Sequence, residues 1–133
     1  MKQLYPIFDM LLRLVVAVEI AIYFGAALLH LGIPIKLGTL VLAVPNAIVP
    51  ATIVETILGL AITANLAILL FAQRPSTQTT IGIHIFVLAG ILFGMVSLAL
   101  FIGPPPGPDW NLHYVMLAGI LAAIILTLLQ HKA

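Results

Sequence analysis

Two carboxylates lie inside stretches that otherwise read as hydrocarbon. Glu19 sits in LRLVVAVEIAIYF and Glu55 in AIVPATIVETILGL. A charge at the centre of a bilayer costs about 3 kcal/mol on insertion scales, so such residues turn toward a partner or a polar cavity. The nearby sequence supplies partners. Tyr23 follows Glu19 by one helical turn and His30 by three turns, which places all three on one face of a helix. Around Glu55, Thr52, Thr56, Gly59 and Thr63 form a stripe of polar and small residues. His113 follows Trp110 and Asn111 at the start of the last apolar segment. His30, Glu55 and His113 thus fall at similar depth near one boundary, with Glu19 beneath them. His84 and His131 form a second candidate pair near the other boundary.

Several chemistries fit these residue types. The carboxylates can simply be satisfied by Thr, Tyr or His neighbours and fix helix register. A pocket for a quinone is a second reading. There Glu55, with Glu19 deeper, handles the proton, His30 or His113 donates to a quinone oxygen, and Tyr23 and Trp110 complete the lining. Two imidazoles and a carboxylate also make a ligand set for zinc or iron; the spacing carries no HxxxH or ExxH signature, and no metal site is expected. Haem b held by His30 with His113, or by His84 with His131, is a further reading, although these residues lie at helix ends. Proton-coupled transport through Glu19 has less support, because no charged ring or filter-like sequence is present. Ser76 lies in a turn without a nucleophile elbow, which argues against hydrolysis.

The elements that position these groups are legible from composition. Of 133 residues, 63% are hydrophobic and 7% charged, against about 25% charged in soluble domains. Four segments are long and apolar enough to span a bilayer: residues 8–31, 49–73, 80–103 and 112–131. The runs are continuous rather than alternating, which excludes a β-barrel. The expected architecture is all-α, a single integral-membrane four-helix bundle covering residues 1–133, multi-pass in the cell membrane. The first segment is too long for a signal-peptide core and no cleavage site precedes a polar domain, so it is expected to remain as a span.

Residues 74–79, RPSTQT, read as a short polar turn, and residues 103–109, GPPPGPD, as a rigid one followed by Trp110 and Tyr114 of an interfacial belt. The stretch 32–48 is long, apolar and broken by Pro34 and Pro45, and reads as a loop or half-helix on the membrane surface. Lys2, Arg13, Arg74 and Lys132 fall on one side and Lys36 on the other, which predicts cytoplasmic termini. Small residues repeat every fourth position: Ala17, Ala21 and Gly25; Gly90 and Gly94; Gly119 and Ala123. Such rows let helices approach closely, within the bundle or toward a second copy or another membrane subunit. The formal charge of +1 offers no face for nucleic acid, and the absence of cysteine removes disulfides, thiolate metal sites and covalent haem attachment within this chain.

Two stretches carry a family likeness. LRLVVAVEIAIYFGAALLHLGIPIKL, residues 12–37, resembles the first helix of the DoxX/DoxD-like membrane proteins, with Arg13, His30, Gly32 and Lys36 at the matching positions. VPATIVETILGLAITANLAILL, residues 49–70, resembles that family's second helix through Glu55 and Gly59. The proline turn and a fourth helix beginning with Asn111 and Tyr114 fit the same layout. The resemblance implies a four-helix membrane bundle. It further implies an accessory subunit of an oxidoreductase complex that delivers electrons to quinone, or a non-enzymatic partner or assembly factor packing against other membrane helices.

Overall fold

A computed structural model of the chain describes residues 2–42, 49–73 and 75–132. It is a bundle of four long helices: α1 (Tyr5–His30), α2 (Val49–Phe71), α3 (Thr77–Phe101) and α4 (Pro108–Lys132). Each contains a stretch apolar enough to cross a membrane, with mean hydropathy of 2.1, 2.1, 2.4 and 2.3 in chain order. At 1.5 Å per residue, the 25 residues of α3 extend about 37 Å, which exceeds a hydrocarbon core of about 30 Å. The protein is a multi-pass membrane bundle. Its outer surface is lined by exposed apolar side chains such as Leu14, Ile57, Val96 and Leu121, which in lipid need no cover.

The helices form a ring in which α1 adjoins α2 and α4, and α3 adjoins α4 and α2. Buried positions recur at spacings of three and four: Leu12, Val16, Glu19, Tyr23 and Ala27 on α1, and Thr80, His84, Val87, Ile91, Gly94, Ser97 and Leu98 on α3. The central cluster joins Leu12, Val16 and Tyr23 to Leu66, Val87, Ile91, Met116 and Ile120.

Three close approaches depend on glycine. A Cβ on Gly59 would lie 3.0 Å from Ala27 Cβ and 3.3 Å from the Tyr23 carbonyl oxygen, so its absence seats α2 directly on α1. A Cβ on Gly90 would meet Ile62 Cδ1 at 2.8 Å, and one on Gly94 would meet His113 Nε2 at 2.8 Å. The Gly90–Gly94 row therefore packs inside the bundle, against α2 and α4, and is not a free face for a second copy. Ala123 is likewise fully buried, whereas Ala17 and Ala21 face outward.

The helix ends follow local chemistry. Ser76 adopts an extended backbone and its Oγ accepts from the Thr79 amide at 3.0 Å, so α3 starts at Thr77. Thr77–Thr79, expected in the preceding turn, are instead its first helical residues. Pro108 opens α4, where its missing amide donor costs nothing. At the end of α1, Gly32 takes φ +81°, Ile33 N donates to Leu28 O at 3.0 Å and Gly32 N to Leu29 O at 3.0 Å, a Schellman closure. Beyond it the chain forms a small antiparallel hairpin, β1 (Ile35–Leu37) with β2 (Leu40–Leu42), turning through Gly38 at φ +64°. The described part of the 32–48 connection is thus a hairpin and not a half-helix. Pro45 and Arg74 lie outside the described residues.

At the end of the bundle that carries both chain termini, Arg13 closes α2. Its Nη1 donates to Leu70 O at 2.6 Å, and its Nη2 to Ala72 O at 2.8 Å and Gln73 O at 3.2 Å. Those carbonyls lie in and just beyond the last turn of α2, where intrahelical partners run out and a cation is favoured. Asp9 holds the guanidinium through Nε at 3.0 Å and accepts from Gln130 of α4 at 3.1 Å. One network thereby ties α1, α2 and α4 together.

Candidate functional site

Two carboxylate–imidazole pairs emerge, and α1 supplies one member of each. At the hairpin end, His30 Nε2 of α1 lies 2.5 Å from Glu55 Oε2 of α2. Deeper in the bundle, Glu19 Oε1 of α1 lies 3.0 Å from His84 Nε2 of α3, across the diagonal of the helix ring. The pairing of His30 with Glu55 follows the depth argument from sequence. His84, by contrast, pairs with Glu19 and not with His131. His131 is exposed at the end of α4, with Nδ1 3.2 Å from the Thr77 hydroxyl.

The geometry of both pairs fixes their proton count. His30 Nδ1 faces Ala26 O at 2.7 Å, and His84 Nδ1 faces Thr80 O at 2.8 Å. A carbonyl oxygen only accepts, so each Nδ1 carries the hydrogen. The contact between Nε2 and the carboxylate then needs a second hydrogen between them. Each pair therefore holds one shared proton, as imidazolium–carboxylate or imidazole–carboxylic acid, and each is electrically neutral as a unit. That makes a carboxylate tolerable inside an apolar bundle.

Burial separates the two pairs. The His30 and Glu55 side chains retain 27% and 23% of their exposure, while those of His84 and Glu19 retain 0% and 4%. Asp109, at the start of α4, is near enough to His30 to add to the field at that imidazole.

One other unpartnered polar group, the Tyr23 hydroxyl, shares the deeper site's environment. Among the described residues, Glu19 Oε2, the Tyr23 hydroxyl and Thr56 Oγ1 are buried without a hydrogen-bond partner. Glu19 and Tyr23 both line a groove of about 420 Å³ between α1 and α4, walled by Val18 and Ile22 on one side and Met116 and Ala122 on the other. Gly119 faces Glu19 there, and a Cβ on it would make ordinary contact with Glu19 Cγ at 3.8 Å.

The remaining sequence candidates are placed differently. His113 has its ring over Gly94 of α3 and donates from Nδ1 to Asp109 O at 2.7 Å. Trp110 is 9% exposed. Its indole N–H donates to Gly103 O at 3.0 Å and fastens the proline turn, so that donor is not free for a ligand. Tyr114 is exposed and tilts against Trp110 with ring centroids 6.3 Å apart. Among the described residues, no three His, Asp or Glu side chains gather closely enough to hold a metal ion. For haem ligation, both ring nitrogens of His84 are already engaged.

Sequence reasoning missed the Glu19–His84 pair. The signal was the row Thr80, His84, Val87, Ile91, Gly94 on α3, a helical stripe that places a histidine in line with core residues. Comparison with protein-family models, curated proteins and solved structures finds no match for this chain.

Proposed function

We propose that this protein is a small accessory subunit of an oxidoreductase complex in the cell membrane, akin to the DoxX/DoxD-like proteins, that presents a quinone-binding pocket at the hairpin end of its bundle. The observation that carries this reading is the His30–Glu55 pair. It is part-exposed, holds a shared proton, and joins the two helices whose sequences bear the family likeness. A quinone oxygen accepts a hydrogen bond and, on reduction, a proton, and an accessible imidazole–carboxylate couple supplies both. Glu55 serves as the proton-handling carboxylate, and His30 becomes the donor to the quinone oxygen when the ligand replaces Glu55 as acceptor of its Nε2–H. His113 and Asp109, on the first turns of α4, supply further polar groups toward the same end. The excess of Lys2, Arg13 and Lys132 at the opposite end supports cytoplasmic termini and an outward-facing pocket.

The test is to purify the protein from native membranes, extract its lipids and measure quinone, then compare electron transfer by membranes carrying Glu55→Gln. Co-purified quinone and slowed transfer are expected. No quinone together with unchanged transfer overturns the reading.

A second reading, a structural or assembly subunit, is favoured by the outward row Ala17 and Ala21 on α1, where a partner helix can approach closely. In that case Ala21→Leu releases partner subunits while Glu55→Gln leaves them bound; the opposite pattern counts against it.

A further inference from the structure

The groove between α1 and α4 carries a chemical demand of its own. His84 Nδ1 donates to Thr80 O, so the shared proton of the deeper pair lies on the line between Nε2 and Glu19 Oε1. Glu19 Oε2 is then a pure acceptor. It is buried, and among the described residues no protein donor reaches it. The Tyr23 hydroxyl, also buried and unpartnered, can donate and accept. Both residues are at least nine-tenths buried, at 3% and 4% exposure, and both line the same groove. Leaving either group unsatisfied costs about 1–3 kcal/mol in mutational data, so the site is built to be completed.

The rest of the groove defines the molecule that completes it. Apart from Glu19 and Tyr23 the walls are aliphatic, and the small Ala118, Gly119 and Ala122 keep it wide on the α4 side. It opens between two membrane-spanning helices, so entry is from the hydrocarbon. A volume of about 420 Å³ falls within the usual range for small-molecule pockets, and a cavity of about 150 Å³ already takes benzene. A ring with substituents fits. A bare acyl chain fills the walls and leaves both polar groups unpaired. A carbonyl accepts from Tyr23 and leaves Glu19 Oε2 unpaired. One hydroxyl does both jobs, donating to Oε2 and accepting from Tyr23.

We propose that the α1–α4 groove is a binding site for an uncharged, lipid-soluble hydroxyl compound with a ring-sized apolar body, its O–H bridging Glu19 Oε2 and the Tyr23 hydroxyl. The site lies deeper, between α1 and α4 and not between α1 and α2, uses different residues from the His30–Glu55 pocket and does not depend on that pocket's function.

The probe is 4-decylphenol, with its methyl ether 4-decylanisole as the control whose oxygen accepts but cannot donate, measured for equilibrium binding to the protein in lipid nanodiscs against empty nanodiscs. Saturable binding of the phenol is expected, with the ether about tenfold weaker. Tyr23→Phe weakens the phenol by a similar factor. Ala118→Phe, a change at an exposed wall position that fills the groove, abolishes binding, while Glu55→Gln leaves it unchanged. Repeating the titration with an acyclic isoprenoid alcohol separates a ring-bearing ligand from a chain alcohol; tighter binding of the acyclic alcohol overturns the ring requirement. Equal affinity for phenol and ether in the unmodified protein, or binding that survives Ala118→Phe, overturns the site. The ether comparison needs no variant and decides the matter even if Tyr23→Phe fails to fold. Loss of phenol binding in Glu55→Gln but not in Ala118→Phe places the ligand at the other pocket and overturns this proposal alone.

Discussion

The two carboxylate–imidazole pairs use the same local chemistry in opposite surroundings. In each, the imidazole anchors its Nδ1 on the carbonyl one turn earlier and turns Nε2 to a glutamate on another helix. His30–Glu55 joins neighbours α1 and α2 at a helix end, with about a quarter of each side chain still exposed. Glu19–His84 crosses the diagonal between α1 and α3 with almost none. An accessible pair can exchange its proton and receive a ligand from outside. An enclosed pair fixes which helices lie opposite, because either partner left alone is an uncompensated group in a medium with nothing to solvate it. The difference lies in burial and not in residue type.

Breaking the deeper pair is expected to have the largest effect. His84→Leu strands Glu19 and should lower unfolding stability in detergent by about 3–5 kcal/mol, read by denaturant titration followed by circular dichroism. The double variant Glu19→Met/His84→Leu should recover most of that loss, since an apolar replacement of both partners removes the desolvation cost. A double variant as unstable as the single one would show that the pair contributes more than its own compensation.

The rim pair sharpens the contrast. His30→Leu leaves Glu55 where water can reach it and should cost about 1 kcal/mol or less in the same titration. A loss as large as that of His84→Leu would erase the distinction drawn from burial. Smallest of all, His131→Ala removes only an exposed contact to Thr77 and should fall within about 0.5 kcal/mol of the unmodified protein. A larger change would mean that the terminal end of α4 is anchored by that imidazole.

Much of the architecture is legible in the sequence alone. The four apolar runs stand out because hydrocarbon demands length and composition over some twenty residues, and that demand is insensitive to local detail. Depth along each helix likewise brought Glu55 to His30. The azimuth of each residue around its helix was not readable, since spans exposed to lipid are apolar on every side and leave little hydrophobic asymmetry to follow. That is why His84 was set beside His131, and why Gly90 and Gly94 could be read as a face toward a second copy, whereas Ile62 and His113 occupy the space those glycines leave. Trp110 read as an interfacial residue because its type is enriched there; its bond to Gly103 depends on the path of the proline turn, which composition does not specify. Ser76 illustrates the same limit on a smaller scale. A serine in RPSTQT marks a turn, and only its backbone angles distinguish a residue of the loop from one that starts the helix.

Arg13 has a consequence for the order in which the bundle assembles. Its guanidinium reaches carbonyls 57 to 60 positions further along the chain, and all of them belong to the first two spans or the residues just after them. Everything needed to latch α1 to α2 is thus synthesised by residue 73 and leaves the ribosome ahead of α3. Synthesis runs from the N-terminus and early units settle first. The α1–α2 hairpin can therefore enter the bilayer already clasped at one end by Arg13 and at the other by His30 and Glu55, with Glu19 turned toward the side from which His84 has yet to arrive.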